Sequence, residues 1–116
     1  MEKIIVTGGL GFVGSNLINI LKNKYFIINI DKVSYASNFK NIDHDIKNYK
    51  FYKQDINNKI FIKNILKKYE PSIIYNLAAE THVDRSIDEP KTFIDSNILG
   101  VFNLLESIRN NKKKLN

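Results

Sequence analysis

The sequence contains no cysteine among its 116 residues, which excludes disulfide bonds, thiolate catalysis, iron–sulfur clusters and cysteine-type zinc sites. No apolar stretch approaches the ~20 residues that a membrane-spanning helix needs. The amino-terminal residues also lack an apolar segment long enough for a signal peptide, since they pass directly into the first predicted strand. We therefore expect a cytoplasmic protein with no membrane partner.

Acidic residues are the minority, because 12 Asp and Glu stand against 18 Lys and Arg and give a net charge of +6. Clustered cations can indicate nucleic-acid binding, but here the lysines are scattered along the chain. This favours a solvated surface and no nucleic-acid partner, with a functional basic face as the alternative. Histidine is also scarce, and since His44 and His82 do not form a pair at metal-ligand spacing, we expect no metal site.

Four short segments rich in apolar and aromatic residues have the pattern of strands, at 2–6, 25–31, 49–55 and 72–79. Segment 34–48 is polar and is at most a short helix within a surface connection. The order β-α-β-(α)-β-α-β-α predicts an α/β fold, half of a doubly wound Rossmann-type parallel sheet with strand order 3-2-1-4 and helices on both faces. The helices are predicted from Val13 to Lys24, from the possible caps Asn57 or Asn58 to Tyr69 before Pro71, and from Lys91, after Pro90, to about Asn110.

The stretch "TGGLGFVGSN", residues 7–16, spaces glycines as G-x-x-G-x-x-G between a predicted strand and a predicted helix. Gly8 would permit a tight exit from the strand, Gly11 would let backbone approach a pyrophosphate, and Gly14 would let the helix pack closely on the sheet. The glycines alone are a weak signal, but the flanking strand and helix are the context that the mechanism requires. The stretch therefore predicts a dinucleotide site.

Two aspartates end predicted strands. Asp31 lies about 20 residues beyond the glycines, where a carboxylate can accept hydrogen bonds from the hydroxyls of an adenine ribose. Its negative charge would repel the ribose phosphate of NADP, which favours NAD, although Lys32 is adjacent. As alternatives, Asp31 is a turn residue at the strand end, and Asp55 is a turn or helix-capping residue.

Five segments together resemble the amino-terminal third of the nucleoside-diphosphate-glucose 4,6-dehydratases, in the extended short-chain dehydrogenase/reductase superfamily. "HVDRSIDEP" and "DKVSYASN" are the most specific, whereas the glycine motif and "NLAA" are shared across the superfamily. Ser37 occupies a place where glycine is common in the family, and Asn97-x-x-Gly100 matches the superfamily helix motif that helps shape the active site. The segments are "TGGLGFVGSN", "DKVSYASN", "QDI", "NLAAETHVDRSIDEP" and "DSNILGVFNLLE".

The resemblance implies NAD as the cofactor, and its binding positions follow the chain. Thr81 and Ser96 keep hydroxyls that the family has as Ser and Thr, and the resemblance directs Thr81 toward both cofactor and sugar substrate. The other implied positions are Phe12 and Val13 at the pyrophosphate, Asp31, Lys32 and Ser34 at the adenosine, Asp55 and Ile56 at the adenine, and Leu77, Ala78 and Ala79 beside the nicotinamide.

The resemblance further implies a redox cycle in which NAD oxidises the sugar C4 hydroxyl, water leaves across C5 and C6, and hydride returns at C6. The Tyr-x-x-x-Lys pair and the acid and base of that cycle would lie beyond this region. Tyr49–Lys53 spells the motif, but residues i and i+4 of a strand are not neighbours, so we interpret the match as coincidence. His82, Asp84 and Arg85 are open to a proton-relay interpretation, but we favour a loop that holds its own shape. We therefore assign no catalytic residue, and we expect 1–116 to be an NAD-binding portion, inactive alone, without the catalytic region.

The third predicted helix has an apolar arc wider than the ~100° that one packed face requires. A homodimer or a complementing carboxyl-terminal chain would cover the excess, since the resemblance implies dimers through this helix; burial of the whole arc on the chain's own sheet is the alternative. The complete enzyme would take dTDP-glucose or UDP-glucose; the alternatives are a non-catalytic NAD-binding module, or part of a UDP-sugar dehydratase or epimerase. The stripe predicted to face the sheet is Ile94, Ile98, Val101, Leu105 and Ile108, flanked by Phe93, Leu104, Leu99 and Phe102.

Overall fold

Four parallel strands form one sheet in the order β3-β2-β1-β4. The computed structural model describes residues 1–33, 40, 42–43, 46–78, 91 and 98–110. The strand order and the parallel pairing confirm the predicted half of a doubly wound α/β sheet. The strands are β1 Lys3–Thr7, β2 Phe26–Asp31, β3 Tyr49–Lys53 and β4 Ile73–Asn76.

Three helices are described, and their ends carry the expected signals. The Asn58 side chain accepts a hydrogen bond from the backbone N–H of Phe61, so Asn58 is the cap rather than Asn57. Glu70 adopts a left-handed conformation (φ 46°) that ends the second helix directly before Pro71. Lys91, the predicted start of the third helix, is helical, whereas residues 92–97 and most of segment 34–48 lie outside the described residues. The helices are α1 Phe12–Leu21, α2 Lys59–Tyr69 and α3 Gly100–Arg109.

Alternate residues of the central strands pack against helices on opposite faces of the sheet, which confirms the predicted layers. Isoleucine dominates both cores, as suits strands that are buried on two sides. The core on the α1 side contains Ile4, Val6, Leu10, Ile18, Ile27 and Ile42. The core on the side of α2 and α3 contains Ile5, Ile28, Ile30, Ile62, Ile65, Leu66 and Leu104.

The rotation of α3 about its axis differs from the prediction. Gly100 and Leu104 are buried and Ile108 packs against the core, whereas Ile98 and Leu105, which were expected to face the sheet, are exposed. The apolar arc offers two adjacent stripes, and the one that contains Leu104 packs against α2. Asn103 also donates from Nδ2 to Oδ1 of Asn57, in the turn before α2, at 2.7 Å. The residues at 93 and 94 lie outside the described ranges.

Within the described part of the chain, every helix is too short or too polar to cross a membrane.

Candidate dinucleotide-binding site

Gly8 forms the turn by which the chain leaves β1. Its φ of +70° lies in the left-handed region, where residues with a side chain are strained. A Cβ there would also lie 2.6 Å from the carbonyl oxygen of Leu77 and 2.7 Å from the nitrogen of Ala78. Glycine is therefore required twice at this position, by the turn and by the close approach of the chain leaving β4.

The other two glycines of the motif, Gly11 and Gly14, have different surroundings. A Cβ on Gly14 would lie 2.3 Å from the Gly8 carbonyl oxygen and 2.7 Å from Cα of Gly9. Close packing at Gly14 is thus present, but the surface it meets is the Gly8–Gly9 turn rather than a strand. A Cβ on Gly11 would meet only the Gly8 carbonyl oxygen, at 3.4 Å, so the other side of Gly11 is open to a ligand.

The amino-terminus of α1 follows this glycine loop, residues 8–11. Ser15 donates the first intrahelical hydrogen bond, to Gly11, so the preceding amides of the helix have no acceptor within it. Gly11 provides no side-chain cap, and the first turn contains no acidic residue. Phe12 and Val13 are exposed. The positive end of the helix dipole and these donors can therefore receive an anionic group.

Asp31 is buried at the carboxyl end of β2, next to the glycine loop. Its Oδ2 accepts a hydrogen bond from the backbone N–H of Leu10 at 3.0 Å, and its Oδ1 accepts one from Val33 at 2.7 Å. The turn role that the sequence left open is thus present. A carboxylate can accept about four hydrogen bonds, so this role and a ribose contact are compatible.

Thr7 joins the end of β1 to the end of β4 through its buried hydroxyl. The hydroxyl donates to Oδ1 of Asn76 and accepts from the backbone N–H groups of Leu77 at 3.1 Å and Ala78 at 3.2 Å. The predicted nicotinamide-side positions Leu77 and Ala78 are therefore held beside Gly8. Sequence reasoning missed Thr7 and Asn76, since nothing in either local segment names a partner about 70 residues away.

Asn29 is a second residue that sequence reasoning missed. It is fully buried in β2, where Oδ1 accepts from the backbone N–H of Gly9 at 3.1 Å and Nδ2 donates to the Tyr49 hydroxyl at 3.0 Å. Burial raises the pKa of Tyr49 to about 12; the hydrogen bond from Asn29 opposes this rise and the charge of Asp31 adds to it. The signal in the sequence is one amide inside the apolar strand "FIINID".

Asp55 forms a turn before α2, because its Oδ1 accepts from the backbone N–H of Asn57 at 2.9 Å. Ile56 beside it is buried. The turn interpretation of Asp55 therefore holds, while contacts of Asp55 and Ile56 with adenine stay a prediction, as do those of Lys32. The predicted site residues Ser34, Ala79, Thr81 and Ser96 lie outside the described residues, together with His82, Asp84, Arg85 and Asn97.

The Tyr49–Lys53 match to a catalytic motif lies on β3. Along a strand the two residues are roughly 13 Å apart, at about 3.3 Å per residue. The Tyr49 hydroxyl is also engaged by Asn29. The strand geometry therefore supports the interpretation of the match as coincidence. In the described ranges, no group of three or more His, Cys, Asp or Glu side chains is arranged to hold a metal ion.

Comparison with known proteins agrees with this geometry. The family model described as GDP-mannose 4,6 dehydratase matches residues 5–116. The dTDP-glucose 4,6-dehydratase of Haemophilus influenzae is 45% identical over 115 residues, which are 95% of this chain and 34% of that enzyme. The chain thus spans about a third of the length of the curated relatives it matches.

Solved structures show the same likeness. The dTDP-glucose 4,6-dehydratase of Bacillus anthracis, in complex with NAD, is 35% identical with a TM-score of 0.81, over 94% of this chain and 34% of that one. The UDP-glucose 4-epimerase of Thermotoga maritima, with UDP-glucose, is 34% identical with a TM-score of 0.83, over 91% and 33% of the two chains. The chain, with its glycine loop and the buried Asp31 beside it, belongs to the GDP-mannose 4,6 dehydratase family.

Proposed function

We propose that this chain is the NAD-binding portion of a nucleotide-sugar 4,6-dehydratase whose substrate is dTDP-glucose. The observation that carries the proposal is the hydrogen bond from the N–H of Leu10 to the carboxylate of Asp31, which sets an acceptor for ribose beside the glycine loop. The similarity to dTDP-glucose 4,6-dehydratases over nearly the whole chain supports the substrate class.

The described residues fit the dinucleotide. The amides at the start of α1, at Phe12 and Val13, would bind the pyrophosphate, and Asp31 would accept from the adenine ribose. The backbone at Leu77 and Ala78, held by Thr7, would line the nicotinamide side. NAD bound there supplies a hydride acceptor for oxidation of the sugar. Further contacts proposed on the sequence are those of Lys32, Ser34, Asp55, Ile56, Ala79, Thr81 and Ser96.

Substrate turnover needs a proton-accepting tyrosine with its lysine and an acid and base for elimination. The proposal assigns none of these to residues 1–116, because the formal match Tyr49–Lys53 lies on a strand. The purified chain should therefore bind NAD but leave dTDP-glucose unchanged. Incubation with both compounds, followed by the alkaline absorbance of the 4-keto-6-deoxy product, tests this. Clear product formation would overturn the assignment of catalysis to residues outside this chain.

Titration calorimetry with NAD and NADP tests the cofactor separately. NAD should bind more tightly, because the Asp31 carboxylate repels a phosphate on the ribose. No binding of either cofactor would refute the proposed function.

The second candidate function is that the chain is part of a UDP-sugar epimerase, which is supported by the likeness to the Thermotoga maritima enzyme. We further propose that the protein is cytoplasmic and that it forms a homodimer or associates with a complementing carboxyl-terminal chain.

A further inference from the structure

Asn29 is a polar side chain in an otherwise apolar strand. Its neighbours Ile28 and Ile30 are fully buried, as Asn29 is itself. Burial of an amide is costly unless its donor and acceptor are both used. Both ends of Asn29 are used, and neither bond belongs to the ladder of the sheet. The Asn29 side chain therefore holds neighbouring groups in place, and its two hydrogen-bond partners show which groups these are.

The acceptor end of Asn29 lies directly beneath the glycine loop. A Cβ on Gly9 would lie 2.1 Å from Oδ1 of Asn29 and 2.6 Å from Cδ1 of Ile18. The hydrogen bond of 3.1 Å from the Gly9 N–H holds the loop on this floor. Asp31, which is also in β2, accepts a hydrogen bond from the backbone N–H of the next loop residue, Leu10. Two consecutive amides of the loop are thus tied to β2.

The other end of Asn29 is held by β3. The backbone N–H of Gly9 can only donate, so it requires the oxygen of the Asn29 amide, and the amide nitrogen then points to the Tyr49 hydroxyl at 3.0 Å. The Gly9 N–H therefore fixes the orientation of the amide, and the Tyr49 hydroxyl, which can accept as well as donate, holds its nitrogen end. The Asn29 side chain thus connects Tyr49 on β3 to Gly9 of the loop, which lies 40 residues earlier in the sequence.

We propose that Asn29, held at its nitrogen end by Tyr49, is a positioning residue for the glycine loop. The inference rests on the proposed function, because the loop must bind the pyrophosphate of NAD. Gly9 lies within the turn, closed by a hydrogen bond from the Gly11 N–H to the Gly8 carbonyl oxygen, that presents Gly11 and the first amides of α1. Loss of the Asn29 acceptor leaves the buried Gly9 N–H without its partner, and the loop must shift to satisfy it. The shift displaces the donors that face the phosphates.

The test compares ligands with and without phosphate, on the purified chain and three variants. Asn29→Leu removes both hydrogen bonds, and Tyr49→Phe removes only the one that holds the nitrogen end of the amide. Ile28→Val is the matched control, because Ile28 adjoins Asn29 in β2 but packs in the core on the opposite face. NMR titrations measure the affinities for NAD, ADP and adenosine, and hydrogen exchange measures protection of the Gly9 amide.

Asn29→Leu should weaken NAD and ADP binding about tenfold, the scale of one lost buried hydrogen bond, and leave adenosine binding unchanged. Tyr49→Phe should weaken both several-fold, and Ile28→Val should change none of the three. Protection of the Gly9 amide should fall in the first two variants only. If Asn29→Leu does not fold, Tyr49→Phe decides the question.

The inference is wrong if Tyr49→Phe binds NAD as tightly as the original chain does. It is also wrong if a variant loses as much affinity for adenosine as for NAD, because a merely structural role predicts that result. Failure of the original chain to bind NAD would refute the proposed function instead.

Discussion

At the scale of single residues, the polar side chains beneath the glycine loop are buried and hydrogen-bonded to loop backbone. Asn29 and Asp31 accept from the loop, and Thr7 accepts from the chain that leaves β4. No buried side-chain nitrogen or oxygen lacks a partner among the described residues. Substitutions of these residues should therefore change both ligand binding and stability, and tests must measure the two separately.

Asp31→Ala should weaken NAD binding by roughly 1 to 3 kcal/mol, the scale for hydrogen bonds to a charged group. NADP binding should suffer less, because the substitution also removes repulsion of the ribose phosphate. Stability should fall as well, since Leu10 and Val33 both donate to this carboxylate. Calorimetry gives the affinities and urea unfolding gives the stability.

Asp31→Asn is the matched control, because it keeps the shape and one acceptor oxygen while removing the charge. It should narrow the difference in affinity between NAD and NADP. Stability should still fall, because the amide nitrogen replaces the oxygen that accepts from Leu10 or the one that accepts from Val33. The ribose assignment of Asp31 is wrong if the unsubstituted chain binds NADP more tightly than NAD.

Two tyrosines should make the chain sensitive to alkali. Burial raises the pKa of Tyr49 to about 12, and burial together with the hydrogen bond between the Tyr69 and Tyr52 hydroxyls raises the pKa of Tyr69 to about 12. An unfolded tyrosine titrates near 10. Because the folded pKa is the higher one, this contribution to stability is complete below about pH 10 and is lost as the pH rises toward about 12.

Urea unfolding at about pH 9 and about pH 11 measures the loss, and tyrosinate absorbance follows the titration. Tyr69→Phe should remove one late-titrating group and reduce the loss of stability at high pH. Titration of every tyrosine in a single step near pH 10 would contradict the raised pKa values.

At the scale of elements, α2 is capped by Asn58, one of the two asparagines that the sequence offered. Asn58 accepts from the N–H of Phe61 at 3.1 Å, and Lys67 and Lys68 lie in the last turn, where the helix dipole favours cations. Asn58→Ala should lower the free energy of unfolding by about 1 kcal/mol. Urea unfolding measures the change. Asn58→Asp keeps an acceptor and should retain the stability, so equal destabilisation by both substitutions would argue against capping.

At the scale of the whole molecule, two surfaces are open. Ile98, Leu99, Phe102 and Leu105 of the third-helix region are 59%, 47%, 50% and 59% exposed. This overturns the alternative that the whole apolar arc is buried on the chain's own sheet. β4 pairs with β1 on one side, and no described strand pairs with its other side. An open strand edge and an apolar stripe both favour association.

Light scattering over a concentration series should therefore show particles larger than one chain. Leu105→Lys should reduce the association, because it places a charge in the middle of the stripe. Ile20→Lys is the control, since Ile20 is similarly exposed but lies on α1. A folded monomer at high micromolar concentration, or an equal effect of both substitutions, would refute association through this stripe.

The sequence by itself determined the order of elements, the strand order, an asparagine cap for α2 at Asn57 or Asn58, and the turn at Gly8. The elements, the cap and the turn depend on local information, namely apolar periodicity, the capping chemistry of one side chain and the backbone freedom of glycine. The strand order then follows from the order of elements, because connections between parallel strands are right-handed. Predicted contacts of residues 34, 79, 81 and 96 stay predictions.

Only the tertiary structure decided which stripe of α3 faces the core and what the buried polar groups contact. The apolar arc of α3 allows two rotations, and in the observed one Leu104 packs in the core with α2. The partners of Thr7 and Asn29 lie on other strands, 69 residues away for Asn76 and 20 for Tyr49. The physical reason is that a side chain's hydrogen-bonding capacity is a local property, whereas the group that satisfies it is chosen by the register of the sheet.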